Sequence, residues 1–230
     1  MINETRDLPA GWESVSLGDV IAPSTLKAEP SDFGDSSYIG LENIESGTNR
    51  IIDTGDIDSV KSTKAVFNAG DILYGKLRPY LNKVCRPQFS GVCSTDILVY
   101  PQIPQLDNGY LLHFLTNPST TDFATQNASG INLPRISANA LSEIDFPLPP
   151  LAEQLRVVAK IEALQERSRN AREALAEVGP LLEQFRQSLL AAAFRGDLTA
   201  DWRAANPNVE PASELLNRIR QERRQKWIAG

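Results

Sequence analysis

Cysteine, histidine and long apolar runs are scarce in this chain, and each shortage closes off a class of function. Two cysteines, Cys85 and Cys93, and one histidine, His113, stand in 230 residues. They cannot assemble a four-ligand zinc site, so no metal is expected. The cysteines could face each other across a hairpin, but in a reducing compartment they are expected as free thiols. No run is apolar for long enough to cross a bilayer. Met1–Asp7 is polar and lacks the apolar centre of a signal peptide. A cytoplasmic protein is the expectation.

Positive charge is short as well. The net charge is −6, and its distribution is uneven: residues 1–150 carry 10 Lys/Arg against 18 Asp/Glu, and residues 151–230 carry 13 against 11. Phosphate contacts supply most of a protein's non-specific affinity for DNA, so an acidic chain must rely on local basic clusters. Catalytic motifs are missing too. There is no glycine-rich cofactor loop after a strand, no Walker loop, no Asn-Pro-Pro-aromatic adenine-methylation motif and no nuclease carboxylate–lysine cluster. Asn117-Pro118 and Asn206-Pro207 read as punctuation, and no Ser, Cys or carboxylate forms a recognisable motif with His113. No catalytic residue and no cofactor is expected.

What the chain does have is one very long helical pattern, from Leu148 to about Phe194. Ile161, Leu164, Ser168, Ala171, Leu175, Val178, Leu182, Phe185, Leu189 and Ala192 recur at alternating spacings of three and four, the a/d seam of a heptad. A straight helix of roughly 43 residues would reach roughly 65 Å, longer than a small domain is wide. Mixed charges flank the seam at Glu162, Glu166, Arg167, Arg169, Arg172, Glu173 and Glu177, as beside an intermolecular coiled coil. The sequence contains no second helix of comparable length to cover it. Pro180 falls off the seam and predicts a kink.

Ahead of this helix lie short strand patterns joined by Gly and Pro turns. They run over Trp12–Leu17, Ser37–Ile44, Ile72–Gly75 and Gly91–Pro101, with a short helix at Gly109–Pro118 and a strand at Ala140–Leu148 feeding the long helix. Glu153 and Gln154 are read as capping the long helix. After Gly196, a natural helix terminator, an extended connector through Trp202 and Pro207 leads to a helix capped by Ser213. That helix covers Glu214 to about Ile228 and is dense in Arg and Lys. The expected class is α+β: an irregular β-rich domain over 1–150, a long coiled-coil helix over 151–195, and a connector with a short basic helix over 196–230.

Basic residues gather in three places. Lys76, Arg78 and Lys83 share a loop with Tyr74 and Tyr80 around them; Asn132 and Arg135 sit in a small-residue loop; Lys61 and Lys64 flank a turn. Arg can reach guanine bidentately and Lys neutralises phosphate. Under the family resemblance set out next, Lys76, Arg78, Tyr80 and Lys83 are the first candidates for contact with DNA, and the other four the second. A solvated loop charge is the plain alternative for each.

Several motifs together point further. Leu8-Pro9-Ala10-Gly11-Trp12, Gly70-Asp-Ile-Leu-Tyr-Gly-Lys-Leu-Arg78, Ser94-Thr95-Asp96, Leu133-Pro134-Arg135-Ile136, Phe146-Pro-Leu-Pro-Pro-Leu-Ala-Glu-Gln154 and Ala193-Phe-Arg-Gly-Asp-Leu198 resemble the DNA-specificity subunit of type I restriction–modification systems. The resemblance spans nearly the whole chain, and the motif Pro147–Gln154 at a domain-to-helix junction is the most specific part. It implies a non-catalytic subunit with two target-recognition domains, each followed by a long helix. The paired helices space two half-site readers, and the subunit docks two methyltransferase subunits and the restriction subunits. S-adenosylmethionine, ATP and magnesium belong to those partners. This chain shows only one recognition domain and one long helix. Its basic helix resembles a connector to a second domain, which favours half of a longer subunit over a natural half-size one. Either way the seam implies an antiparallel homodimer through residues 155–192, contacting double-stranded DNA at an interrupted palindrome. A coiled-coil interaction scaffold with no DNA role is the competing expectation.

Overall fold

The computed structural model describes residues 8–32, 34 and 36–229; the polar segment Met1–Asp7, read above as lacking a signal peptide, lies outside them. Two compact units divide the chain, Met1–Leu164 and Gln165–Gly230. The first unit contains β1 (Glu13–Ser16), α1 (Leu17–Val20), β2 (Lys27–Ala28), β3 (Ser37–Ile39), β4 (Lys64–Phe67), β5 (Ile72–Gly75), β6 (Val84–Cys85), β7 (Gly91–Cys93), β8 (Ile97–Tyr100), α2 (Asn108–Leu115), α3 (Pro118–Gln126), α4 (Ala138–Ser142), β9 (Asp145–Leu148) and the opening turns of α5 (Leu151–Arg195). The expected α+β class is what the chain adopts. No helix among the described residues is long and apolar enough to cross a membrane.

Three small sheets share the strands. β1 pairs antiparallel with β9, aligning Val15 with Phe146. A second sheet runs β2-β4-β7-β3, with β3 and β7 parallel, and a third runs β6-β5-β8. The third explains the unbroken apolar runs Ile72-Leu73-Tyr74 and Ile97-Leu98-Val99-Tyr100. Successive strand residues point to opposite faces, so Ile72, Tyr74, Leu98 and Tyr100 enter one core with Leu17, Leu111, Leu141 and Phe146. Leu73, Ile97 and Val99 enter a second core with Ile39, Phe67, Cys85 and Cys93. A ribbon buried on both faces needs apolar residues at every position. Gly91 is required for close approach: a Cβ there would collide with the Ser37 carbonyl on the paired strand.

Several local expectations are corrected. Gly91–Pro101 is not one strand but two, β7 and β8, in different sheets, separated by the turn at Ser94–Asp96. There the Ser94 hydroxyl accepts from the Asp96 N–H and the chain changes layer. Ala140–Leu148 begins as α4, capped by the Ser137 hydroxyl, before becoming β9. Ser37–Ile44 leaves the strand after Ile39 for a 3-10 turn at Leu41–Asn43. Asn117-Pro118 starts a helix as well as ending one: Asn117 accepts from the Ser119 N–H and Pro118 takes the first position of α3, where a missing N–H costs nothing.

Gln154 does not cap α5. It is 1% exposed, accepts from the Asp107 N–H at 2.8 Å and donates to the Pro149 carbonyl at 3.0 Å. Its amide thus ties the opening of α5 to the loop that caps α2. Val157 and Val158 pack on the first core from the same two turns.

In the second unit α5 continues past Pro180, which stays inside the helix. The connector is not extended: a 3-10 turn at Asp197–Thr199 leads into α6 (Ala200–Ala205). α7 covers Ala212–Ala229, so Ser213 lies inside its first turn and is not its cap. The Glu210 carboxylate grips Arg218 through two hydrogen bonds of 3.0 and 3.1 Å.

Candidate nucleic-acid interface

The first- and second-choice loops, some fifty residues apart in sequence, form one surface. The loop at 76–83 leaves β5 with the Lys76 N–H donating to the Asp96 carbonyl at 2.8 Å. The loop at 129–135 is closed by mutual Ser129–Arg135 backbone hydrogen bonds of 2.8 and 2.9 Å. The two are zipped together: Arg78 N–H donates to the Pro134 carbonyl at 2.7 Å, Ile136 N–H donates to the Lys76 carbonyl at 3.1 Å, and Leu77 bridges Arg135. Backbone ladders leave little freedom at the loop bases, so the side chains project from a fixed platform.

Arg78 and Asn82 bracket the 3-10 turn Pro79–Leu81, both left-handed, at φ of 52° and 47°. For a non-glycine residue this conformation costs about 1–2 kcal/mol. Asn82 has local support, since its amide donates to the Thr116 carbonyl at 3.0 Å. Arg78 has none from its side chain, which is exposed and makes no cap hydrogen bond. Strained backbone of this kind clusters at functional sites.

The candidates do not all face outward. Arg78, Tyr80, Asn132 and Arg135 are exposed and Lys76 is half-buried. Lys83 turns inward, its ammonium donating to the Leu41 carbonyl at 2.6 Å. Lys64 donates to the Ser62 hydroxyl and lies 5.9 Å over the Tyr38 ring. Burial, then the nearby Glu42 carboxylate, raises the Tyr38 phenol above its usual pKa, while a hydrogen bond with Ser94 opposes that. Lys61 is exposed on the turn before β4. A cleft of about 510 Å³, lined by Ser24, Thr25, Lys27, Ala65, Lys76 and Thr95, runs beside Lys76 and reaches β4 next to Lys64.

Two features carried no site assignment from sequence. Asp96, in the turn between β7 and β8, holds Arg135 through two contacts of 3.0 and 3.1 Å. Ile131, at the tip of the second loop, is fully exposed. Asp96 and Arg135 lie 39 residues apart, and no local spacing rule connects them. An isoleucine between Gly130 and Asn132 looks like loop filler until its exposure is known.

The long helix supplies the other surface. Leu164, Leu175, Val178, Leu182, Phe185 and Leu189 are all exposed, and Ile161 is half-buried. A contiguous apolar stripe of this length in water is unusual for a lone chain.

The first unit is thus a β-rich domain that presents cations on loops fixed by backbone hydrogen bonds, and the chain continues from it into a helix with an exposed heptad stripe. A family model described as the type I restriction modification DNA specificity domain matches residues 9–178, and the chain belongs to that family. It is similar to the Type I restriction enzyme EcoDI specificity subunit of Escherichia coli, 36% identical over 96% of this chain and 50% of that one. Among solved structures it resembles the HsdS subunit from Thermoanaerobacter tengcongensis, with a TM-score of 0.70, 28% identity and coverage of 83% of this chain and 51% of that one. A second structure, reported for complex assembly and conformational transition of the type I R-M system, matches at 0.67 and 28%, covering 81% and 50%. The chain spans about half the length of these relatives.

Proposed function

We propose that this chain is one recognition half of a type I specificity subunit, reading one half of a bipartite DNA target in the cytoplasm without catalysing any step itself. The observation that carries this is the zipping of two distant loops into one surface that exposes Arg78, Tyr80, Asn132 and Arg135 beside Lys76. Cations fix the duplex backbone while Arg and Asn read base edges. The acidic remainder of the domain then keeps DNA off the non-reading faces. Through its exposed stripe α5 pairs antiparallel with a second helix, either that of another copy or the matching helix of a longer chain, and sets the half-site spacing. The methyltransferase and restriction subunits dock on the assembled subunit.

A gel shift of the chain with its methyltransferase subunit on duplex DNA at low salt tests the reading. Lys76→Ala/Arg78→Ala is expected to reduce binding by about tenfold or more, from the loss of two charge-assisted contacts. Wild-type protein that retains no duplex even with its partner would refute the DNA role and leave a scaffold.

A further inference from the structure

Among the described residues of the first unit, one of the named candidates, Arg135, is held in an ion pair with Asp96, which carried no assignment. Asp96 and Arg135 both sit on backbone fixed from two sides. The Asp96 carbonyl accepts from Lys76 and its N–H donates to the Ser94 hydroxyl. Both backbone groups of Arg135 bond Ser129. The carboxylate takes Nε of the guanidinium at 3.0 Å and Nη2 at 3.1 Å. That is the side edge of the fork. The distal edge, Nη1 and the outer hydrogen of Nη2, is left unengaged, and the Arg135 side chain is half exposed.

A surface ion pair contributes little to stability, and an acidic side chain amid DNA-facing cations opposes the approach of phosphate. Both arguments weigh against placing Asp96 here for the fold or for general affinity. The geometry supplies a reason. A guanidinium with its side edge clamped loses its rotamer freedom before binding, and its free edge still carries the two parallel donors that match O6 and N7 of guanine. We infer that Asp96 is a positioning residue that orients Arg135 to read a guanine in the major groove. This rests on the DNA-reading function proposed above and adds to it a base, an atom pair and a residue that makes no DNA contact itself.

The sign of one substitution separates positioning from electrostatics. Removing an acid from a DNA-facing surface should raise affinity for any duplex, whereas removing an orienting acid should lower affinity for the target alone. Methylation-sensitive sequencing of host DNA first defines the target. Binding of the chain, assembled with its methyltransferase subunit, is then measured on the target duplex, on the same duplex with 7-deazaguanine at each half-site guanine in turn, and on random duplex. Arg135→Ala and Arg135→Lys are expected to lose about 10- to 100-fold on the target, because lysine keeps the charge and not the fork. Asp96→Asn is expected to lose about 2- to 10-fold on the target, the contribution of one pre-ordered long side chain. On random duplex it should gain. With 7-deazaguanine at the position read by Arg135, which keeps O6 but lacks N7, the Asp96→Asn loss should shrink.

A gain or no change on the target, an equal loss with 7-deazaguanine, or a half-site without guanine would each overturn the assignment. Wild-type protein that binds no duplex at all would instead sink the DNA-reading function beneath it. Asp96→Asn preserves side-chain shape and the Ser94–Asp96 turn, and a matching thermal melt shows that the variant folds.

Discussion

Arg78→Gly should make the protein more stable and less able to bind DNA. Arg78 sits at φ 52° and ψ 63°, a left-handed conformation that costs a residue with a Cβ about 1–2 kcal/mol. Glycine removes that strain but gives the unfolded chain extra freedom, a cost of about 0.5–1 kcal/mol. The difference is a net gain of roughly 0.5–1 kcal/mol. The backbone hydrogen bond from residue 78 to Pro134 survives, since it uses only the N–H. For a chain of this length each kcal/mol moves Tm by about 2–4 °C, so a rise of roughly 1–4 °C is expected by scanning fluorimetry or calorimetry. Losing one arginine contact to phosphate or base should weaken DNA binding by about tenfold. An ordinary structural residue cannot give both results, because its removal destabilises the fold. A drop in Tm of several degrees would show that the Arg78 side chain supports the fold. Unchanged DNA affinity would remove Arg78 from the reading surface.

Gln154→Ala leaves the half-buried Asp107 N–H and the buried Pro149 carbonyl without this partner, and should destabilise by roughly 1–3 kcal/mol in a urea melt. Gln154→Glu should be mild when protonated and worsen as pH rises from about 4 toward neutrality, because burial disfavours the charged form; a pH-independent loss would contradict this. Leu182 and Phe185 are 63% and 65% exposed, and burying such a side chain contributes about 1.5–3 kcal/mol. If two copies pair through this seam, Leu182→Asp/Phe185→Asp should convert the dimer seen by light scattering into monomer, and a monomeric wild type at high concentration would refute homodimer pairing. Burial lowers the His113 pKa, against the Glu162 carboxylate, which raises it. The unfolded chain therefore binds the proton more readily, so this contribution is intact above about pH 6.5 and lost as pH falls below it. His113→Gln should flatten the stability profile between pH 7.5 and 6, and an unchanged slope would count against it.

What could be read from sequence divides according to how far an interaction reaches along the chain. The heptad stripe and the continuous apolar runs of β5 and β8 are periodic patterns within one element, and a period survives without knowledge of neighbours. Gly91–Pro101 misled for the complementary reason. Its residues are uniformly strand-like, and only the local hydroxyl–amide bond at Ser94–Asp96 breaks the run into two strands serving different sheets. Gln154 was misassigned because capping is the common role for a polar residue in a first helical turn, whereas its real partners lie in the loop before α2, 47 residues away.

The candidate interface shows the same division more sharply. Lys83 and Arg78 are equivalent as letters in one basic loop, yet the fold turns one inward to the Leu41 carbonyl and holds the other outward under strain. Asp96 belongs to a motif visible in the sequence, but its relation to Arg135 exists only once two loops are zipped together. Composition therefore locates a binding surface by counting cations, and here it counted an inward-facing lysine while passing over the carboxylate beside an outward-facing arginine. If this acidic domain grips DNA as proposed, the informative residues are the few cations that the backbone holds fixed. Rigid placement makes up in orientation for what the chain lacks in total charge.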